Sequence, residues 1–167
     1  NSALELIAST KLAFDPVLRT QLGIVCHVAS SYARRESLRR REVAGAPCAT
    51  DASREAAQQI EWLFRDYPLQ NVRMSVASPR MLIRFVHSRD DAVAFFDSFS
   101  YRLALKDAAM PTDGLAFVPL STPESMSYVG FLYPKHIRQK PRVRHAVRLL
   151  DRYLKENQAD YLAQYPV

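Results

Sequence analysis

Leu22-Gly23-Ile24-Val25-Cys26-His27-Val28-Ala29 and a later counterpart, Met126-Ser127-Tyr128-Val129-Gly130-Phe131-Leu132-Tyr133 closed by Pro134, decide the reading of this chain. Both are rich in β-branched and aromatic residues, and each has the length of a buried strand. Roughly a hundred residues lie between them, enough for a compact unit of its own. One long amphipathic helix follows the second. A chain that leaves one lobe, builds another and comes back by a matching strand predicts two α/β lobes joined by paired crossover strands. The boundaries expected are 1–28 for part of lobe I, 29–127 for lobe II and 128–167 for the return to lobe I. Such a design places a ligand cleft where the strands cross.

Outward from these strands, the segments alternate. Leu4 to Ala8 reads as a short strand ending at Ser9-Thr10, and Phe14-Asp15-Pro16 as a turn. Ser37 to Ala44 has the pattern of one or two helical turns closed by Gly45, whose missing Cβ allows a left-handed cap. From Ser53 to Phe64 a helix is predicted by the spacing of Ala56, Ala57, Ile60, Leu63 and Phe64, with Asp51 as cap or first-turn acid and Trp62 off the stripe. Asn71 to Val76 alternates as a half-buried strand does. Ser78-Pro79 opens a helix that buries Met81, Leu82, Phe85 and Val86. A strand at Ala92–Phe96, a helix near Ser98–Lys106 and a strand at Leu115–Val118 follow. The last helix, Pro141 to Gln158, carries an apolar stripe of Val143, Ala146, Val147, Leu150 and Leu154.

The totals narrow the function classes. An apolar fraction of 48% in 167 residues suits a globular protein. No run of about 18 apolar residues exists, so a membrane span is not expected. The start has no signal core and no initiator Met, and reads as a cut-out from a longer, cytoplasmic protein. Cys26 and Cys48 fit a reducing compartment, Cys26 as a small core residue; nothing in their spacing requires a disulfide or suggests zinc. The net charge of +6 comes mainly from Arg34 to Arg41 and Arg138 to Lys155, where interspersed acids point to solvated helix faces.

Catalytic and cofactor signatures are missing from the sequence. Four scattered glycines make no phosphate loop, the four histidines do not cluster with acids at metal-ligand spacing, and no nucleophile elbow is present. No enzyme, cofactor or metal is therefore expected, and Asp90-Asp91 reads as a solvated turn. What remains is binding. In α/β folds ligands lie beyond the carboxyl ends of strands, where helix N-termini offer backbone donors to anions. Ser78 with the amides of Arg80 and Met81 would form such a cradle; helix capping is the plainer role for Ser78, and the two can coexist.

From about Phe14 to Glu156 the order of segments resembles the effector-binding domain of LysR-type transcriptional regulators. Leu22 to Arg35 is similar to the family's crossover strand and the polar stretch after it. Leu38-Arg39-Arg40-Arg41-Glu42-Val43-Ala44-Gly45-Ala46-Pro47 is similar to its short helix. Asp90-Asp91-Ala92-Val93-Ala94 resembles a strand entry, and Gly114-Leu115-Ala116-Phe117-Val118-Pro119-Leu120 with Tyr128-Val129-Gly130-Phe131-Leu132 the closing run. The resemblance implies a two-lobed, periplasmic-binding-protein-like (type 2) α/β fold holding a small, anionic metabolite. It implies crossovers at Val25–Ala29 and Val129–Tyr133, a homodimer or homotetramer, and DNA binding through a winged helix-turn-helix not in this chain. Carried over by position, the ligand-binding residues are Ser9, Thr10, Ser78, Arg80, Phe96 and Asp97. Two departures stand out: the strand and helix that normally precede Leu4 are absent, and Ser88-Arg89-Asp90-Asp91 replaces a glycine-rich stretch. Two readings compete with this sensor. One is a nucleic-acid-binding module using the basic helices, which would show steeply salt-dependent binding. The other is an enzyme or solute-binding protein of the same fold.

Overall fold

A computed structural model describes residues 11–107 and 109–156. The elements are β1 (Leu12–His27), α1 (Arg40–Val43), β2 (Cys48–Thr50), α2 (Arg54–Leu63), β3 (Val72–Ser75), α3 (Pro79–His87), β4 (Val93–Asp97), α4 (Ser98–Lys106), β5 (Leu115–Pro119), β6 (Met126–Pro134) and α5 (Pro141–Glu156). They divide into two compact units, 21–127 and the segments that flank it. The strand expected at Leu4–Ala8 lies outside the described residues.

In the unit 21–127 the strand order is β3-β2-β4-β1-β5. β2 runs parallel to β3 and β4, while β1 is antiparallel to both β4 and β5. Residues alternate across this sheet with period two, so the two faces feed two separate clusters. Ile24, Cys26, Cys48, Val93, Phe95 and Val118 pack with Leu63 and Phe64 at the end of α2. Val25, Ala49, Ala94 and Phe96 pack with Leu82, Ile83 and Val86 of α3 and with Tyr101 of α4. A strand covered on both faces needs an unbroken apolar run, which is why Leu22 to Cys26 carries no polar side chain.

Most expected elements are present, with differences that have local causes. Phe14-Asp15-Pro16 is not a turn but lies inside β1. Asp15 does not fold back on its own backbone: its carboxylate accepts from the Tyr133 hydroxyl and from Arg138 Nη2 at 2.6 Å, and pairing of β1 with β6 overrides the turn preference. β1 ends at His27, leaving Val28 and Ala29 in a turn. The expected helix at Ser37 begins only at Arg40, because Leu38 bridges to Leu120 and exchanges backbone bonds with Pro119 O (2.9 Å) and Ser121 N–H (2.8 Å). Gly45 is not left-handed; among the described glycines only Gly114 is, at φ 74°. Ser53, not Asp51, caps α2 through Ala56 N–H at 3.4 Å, and Asp51 accepts from Ser53 N–H at 2.6 Å. In α3 the buried face is Leu82, Ile83 and Val86, with Met81 exposed and Phe85 half-buried.

The flanking unit is built on the first part of β1, β6 and α5. Lys135 N–H donates to Lys11 O at 2.7 Å, and the Asp15–Tyr133–Arg138 group joins the same elements. Burial first, then the Asp15 carboxylate, pushes the Tyr133 phenol above its ordinary range. Along α5, Val143, Val147 and Leu154 are half-buried, while Ala146 and Leu150 of the expected stripe are exposed. No described helix is long and apolar enough to cross a membrane.

Cys26 and Cys48 are both free and fully buried, and burial raises each thiol from 9.0 to about 11. A raised native value favours the protonated thiol, so this contribution to stability is whole below pH 9.0 and falls as pH rises towards about 11. Two results are expected: thiol reagents leave both residues unmodified at pH 8 until denaturant is added, and the urea midpoint drops between those pH values. Rapid labelling of the native chain would contradict the packing.

Candidate functional site

The connectivity of the unit 21–127 collects chain ends at one edge of its sheet. β2, β3 and β4 run in one direction, and β5 shares it because both β4 and β5 oppose β1. The carboxyl ends of four strands therefore meet there, at Thr50, Ser75, Asp97 and Pro119. Leu22 pairs with Asp97 and Gly23 with Pro119, so the unit's first residue, Gln21, stands at this edge too. Three helices of nine or ten residues, α2, α3 and α4, start from the same edge. Each helix start turns its first-turn amides and the positive end of its dipole to this edge.

The three helix starts are not equivalent. Asp97 caps α4, its Oδ1 accepting from Phe99 N–H (3.1 Å) and Ser100 N–H (3.0 Å). Ser53 caps α2. Ser78 holds the cap position of α3 with extended backbone, but its hydroxyl makes no capping bond. Pro79 has no N–H to offer, and Met81 and Leu82 N–H both donate to Ser78 O, at 3.0 and 3.2 Å. The Met81 amide is thus not part of an anion cradle as expected; the Arg80 amide is the first-turn donor outside this ring.

The predicted residues are placed as follows. Ser78 and Asp97 lie at the same sheet edge, at the starts of α3 and α4. The Arg80 guanidinium is engaged locally, donating through Nη2 to Ala109 O at 2.7 Å. Phe96 is buried, its ring edge-on to Tyr101 at 6.3 Å within the α3-side cluster. Ser9 and Thr10 lie outside the described residues. Among the described residues no group of three or more His, Cys, Asp or Glu side chains is arranged to hold a metal ion.

Sequence reading missed three polar residues at this edge. Gln21 N–H donates to Ser98 Oγ at 3.2 Å, and Gln21 Nε2 donates to Leu120 O at 2.8 Å and to Ser125 Oγ at 3.4 Å. Ser98 was placed at a helix start but given no role; Ser125 carried no signal, because its partner is 104 residues away in sequence.

Residues 3–155 match the family model described as the LysR substrate binding domain. The chain belongs to this family. This LysR domain has the type 2 periplasmic-binding-protein-like α/β fold, as the sequence predicted. It is similar to the OxyR C206 mutant of Corynebacterium glutamicum (TM-score 0.69, 15% identity), covering 93% of this chain and 48% of that one. It is also similar to the BenM effector binding domain with its effector benzoate (TM-score 0.68, 9% identity), covering 95% of this chain and 68% of that one. A third likeness is to the regulatory domain of MetR, a LysR family regulator from N. meningitidis (TM-score 0.68, 12% identity), covering 92% and 68%. The LysR domain described here spans about half the length of similar regulators, 49% of HinK of Pseudomonas aeruginosa and 49% of full-length BenM. No curated protein matches it.

Proposed function

We propose that this LysR domain binds a small anionic metabolite at the carboxyl edge of its 21–127 sheet, as the sensing part of a transcriptional regulator. The observation that carries this reading is the start of α3. A helix dipole points at the edge there, the Ser78 hydroxyl is not used as a cap, and the Arg80 amide stands beside it. Asp97 at the start of α4 supplies a carboxylate for a hydroxyl or ammonium group of the same ligand, while Arg80 and Phe96 are assigned to this role by position in the sequence alone. Ser9 and Thr10 are assigned to the same role by position in the sequence. Benzoate, the effector of the similar BenM domain, is itself a carboxylate, which supports the anionic class.

In the whole protein, DNA is held by a winged helix-turn-helix outside this chain, in a cytoplasmic homodimer or homotetramer. CbnR, a similar LysR regulator, has been solved full-length with its target DNA. A metabolite changes such an assembly only through unequal affinity for its alternative arrangements, and a 1:99 to 99:1 switch needs about 5.5 kcal/mol of difference.

The test is a thermal-shift screen of carboxylates followed by titration of the hits. Loss of one hydrogen bond to a charged group is worth about 1.5 kcal/mol, so Ser78→Ala is expected to raise Kd roughly tenfold. Unchanged affinity in Ser78→Ala would clear that residue, and a screen without any carboxylate hit would remove the reading.

A further inference from the structure

The chain passes between its two units at 20/21 and at 127/128. One hydrogen-bonded group within the unit 21–127 sits beside both passages. Gln21 is the first residue after one of them, and Ser125, fully buried, lies just before the other. Gln21 Nε2 reaches Ser125 Oγ at 3.4 Å and Leu120 O at 2.8 Å, while Gln21 N–H donates to Ser98 Oγ at 3.2 Å. Leu120 N–H in turn donates to Leu22 O at 3.1 Å, next to Gln21. Both passages are thereby connected to the first turn of α4, at the edge assigned above to the effector.

The proton count in this group gives it two arrangements. The Ser125 hydroxyl has one proton but two carbonyl oxygens in range, Leu120 O at 2.8 Å and Thr122 O at 2.6 Å. When the Gln21 amide donates to Leu120 O, the Ser125 proton can go to Thr122 O while Ser125 Oγ accepts the second Gln21 N–H. When Gln21 withdraws, Ser125 can turn its proton to Leu120 O. Both arrangements keep the buried Ser125 hydroxyl bonded, so the exchange costs nothing at that group. The exchange changes which backbone carbonyl, that of Leu120 or that of Thr122, is held by Ser125. Ser98 is also buried, so movement of α4's first turn is felt at Gln21 N–H without screening by water.

We infer that Gln21, Ser98 and Ser125 form a polar latch that couples the start of α4 to both chain passages between the units. The inference rests on the effector reading for its trigger, a ligand at Asp97 displacing the first turn of α4. The coupling itself is a property of the ligand-free chain and is tested there.

The experiment is amide hydrogen exchange, read by mass spectrometry, on the ligand-free chain and two variants. Ser98→Ala leaves the Ser125 contacts intact, yet exchange across 122–128 is expected to rise by about threefold, together with that across 98–101. Gln21→Ala is expected to raise both segments at once by at least as much, with α3 unchanged as the internal reference. A rise confined to 20–22 and 97–101 in Ser98→Ala, or to 20–22 in Gln21→Ala, overturns the latch. Ser98→Ala keeps the Asp97 cap of α4, so a folded protein is available even where Gln21→Ala is too unstable. Because no ligand is present, failure here leaves the effector reading standing, and a failed carboxylate screen leaves the latch standing.

Discussion

Ile24→Ala is expected to destabilise the chain by about 3–4 kcal/mol, enough to remove a large part of the stability of a domain this size. Ile24 lies on the central strand β1, pairs with Phe95 on one side and Val118 on the other, and has no exposed surface. Its side chain packs between β4, β5 and the end of α2, in the cluster that contains Leu63, Phe64 and Phe95. A cavity at this position is walled by strands on both sides and cannot collapse, which places the cost in the upper part of the range for such truncations. Urea denaturation of Ile24→Ala beside Ile24→Val reads the effect. Ile24→Val should lose about 1 kcal/mol. An alanine variant within 1 kcal/mol of the parent would mean that β1 is not the central strand.

The second large effect is expected at Gly130, and here the cause is overlap, not a cavity. A Cβ built on Gly130 would overlap the Asp15 carbonyl oxygen and stand 2.8 Å from Pro16 Cα and 2.9 Å from the Phe14 ring. Two of these three neighbours are backbone, so no rotamer change relieves the contact. The backbone φ of Gly130 is not in the left-handed region, so the glycine is required by space alone. Gly130→Ala is expected to lose about 3 kcal/mol, the upper end of overpacking penalties, by forcing β6 away from β1. Gly45→Ala is the matched control: its Cβ would meet only Gln70 Oε1, at 3.8 Å, and stability should be unchanged or slightly higher. Equal melting temperatures for Gly130→Ala and the parent would show that β6 and β1 do not approach as described.

Local sequence signals read well wherever a residue's partner is close along the chain. Pro79 behind Ser78 starts α3, the apolar spacing after Ser53 makes α2, and β3 forms at Val72 to Ser75 inside the expected run, although Val72 is exposed. They failed where a distant strand competes with a local preference. Asp15-Pro16 has turn chemistry, yet Tyr133 and Arg138, 118 and 123 residues away, claim the Asp15 carboxylate and keep the segment extended. Leu38 has helical neighbours, yet its bridge to Leu120 delays the helix. At the sheet edge, Ser78 was legible because Ser-Pro is a recognisable helix start, whereas Asp97 came from the family resemblance and its cap of α4 was not read. Gln21 and Ser125 were not legible, since a hydrogen bond spanning 104 residues leaves no mark in either neighbourhood.

By itself the sequence determined the class of this protein: apolar runs flanked by helical periodicity specify alternating strands and helices, and hydrophobic patterning is a property each segment carries alone. Only the tertiary structure decided which polar groups meet. Strand order brings four carboxyl ends and three helix starts to one edge, spends the Arg80 guanidinium on Ala109 O, and sets Gln21 between Ser98 and Ser125. Hydrogen bonds act over about 3 Å, whatever the separation along the chain, and that distance is fixed only when the sheet has formed.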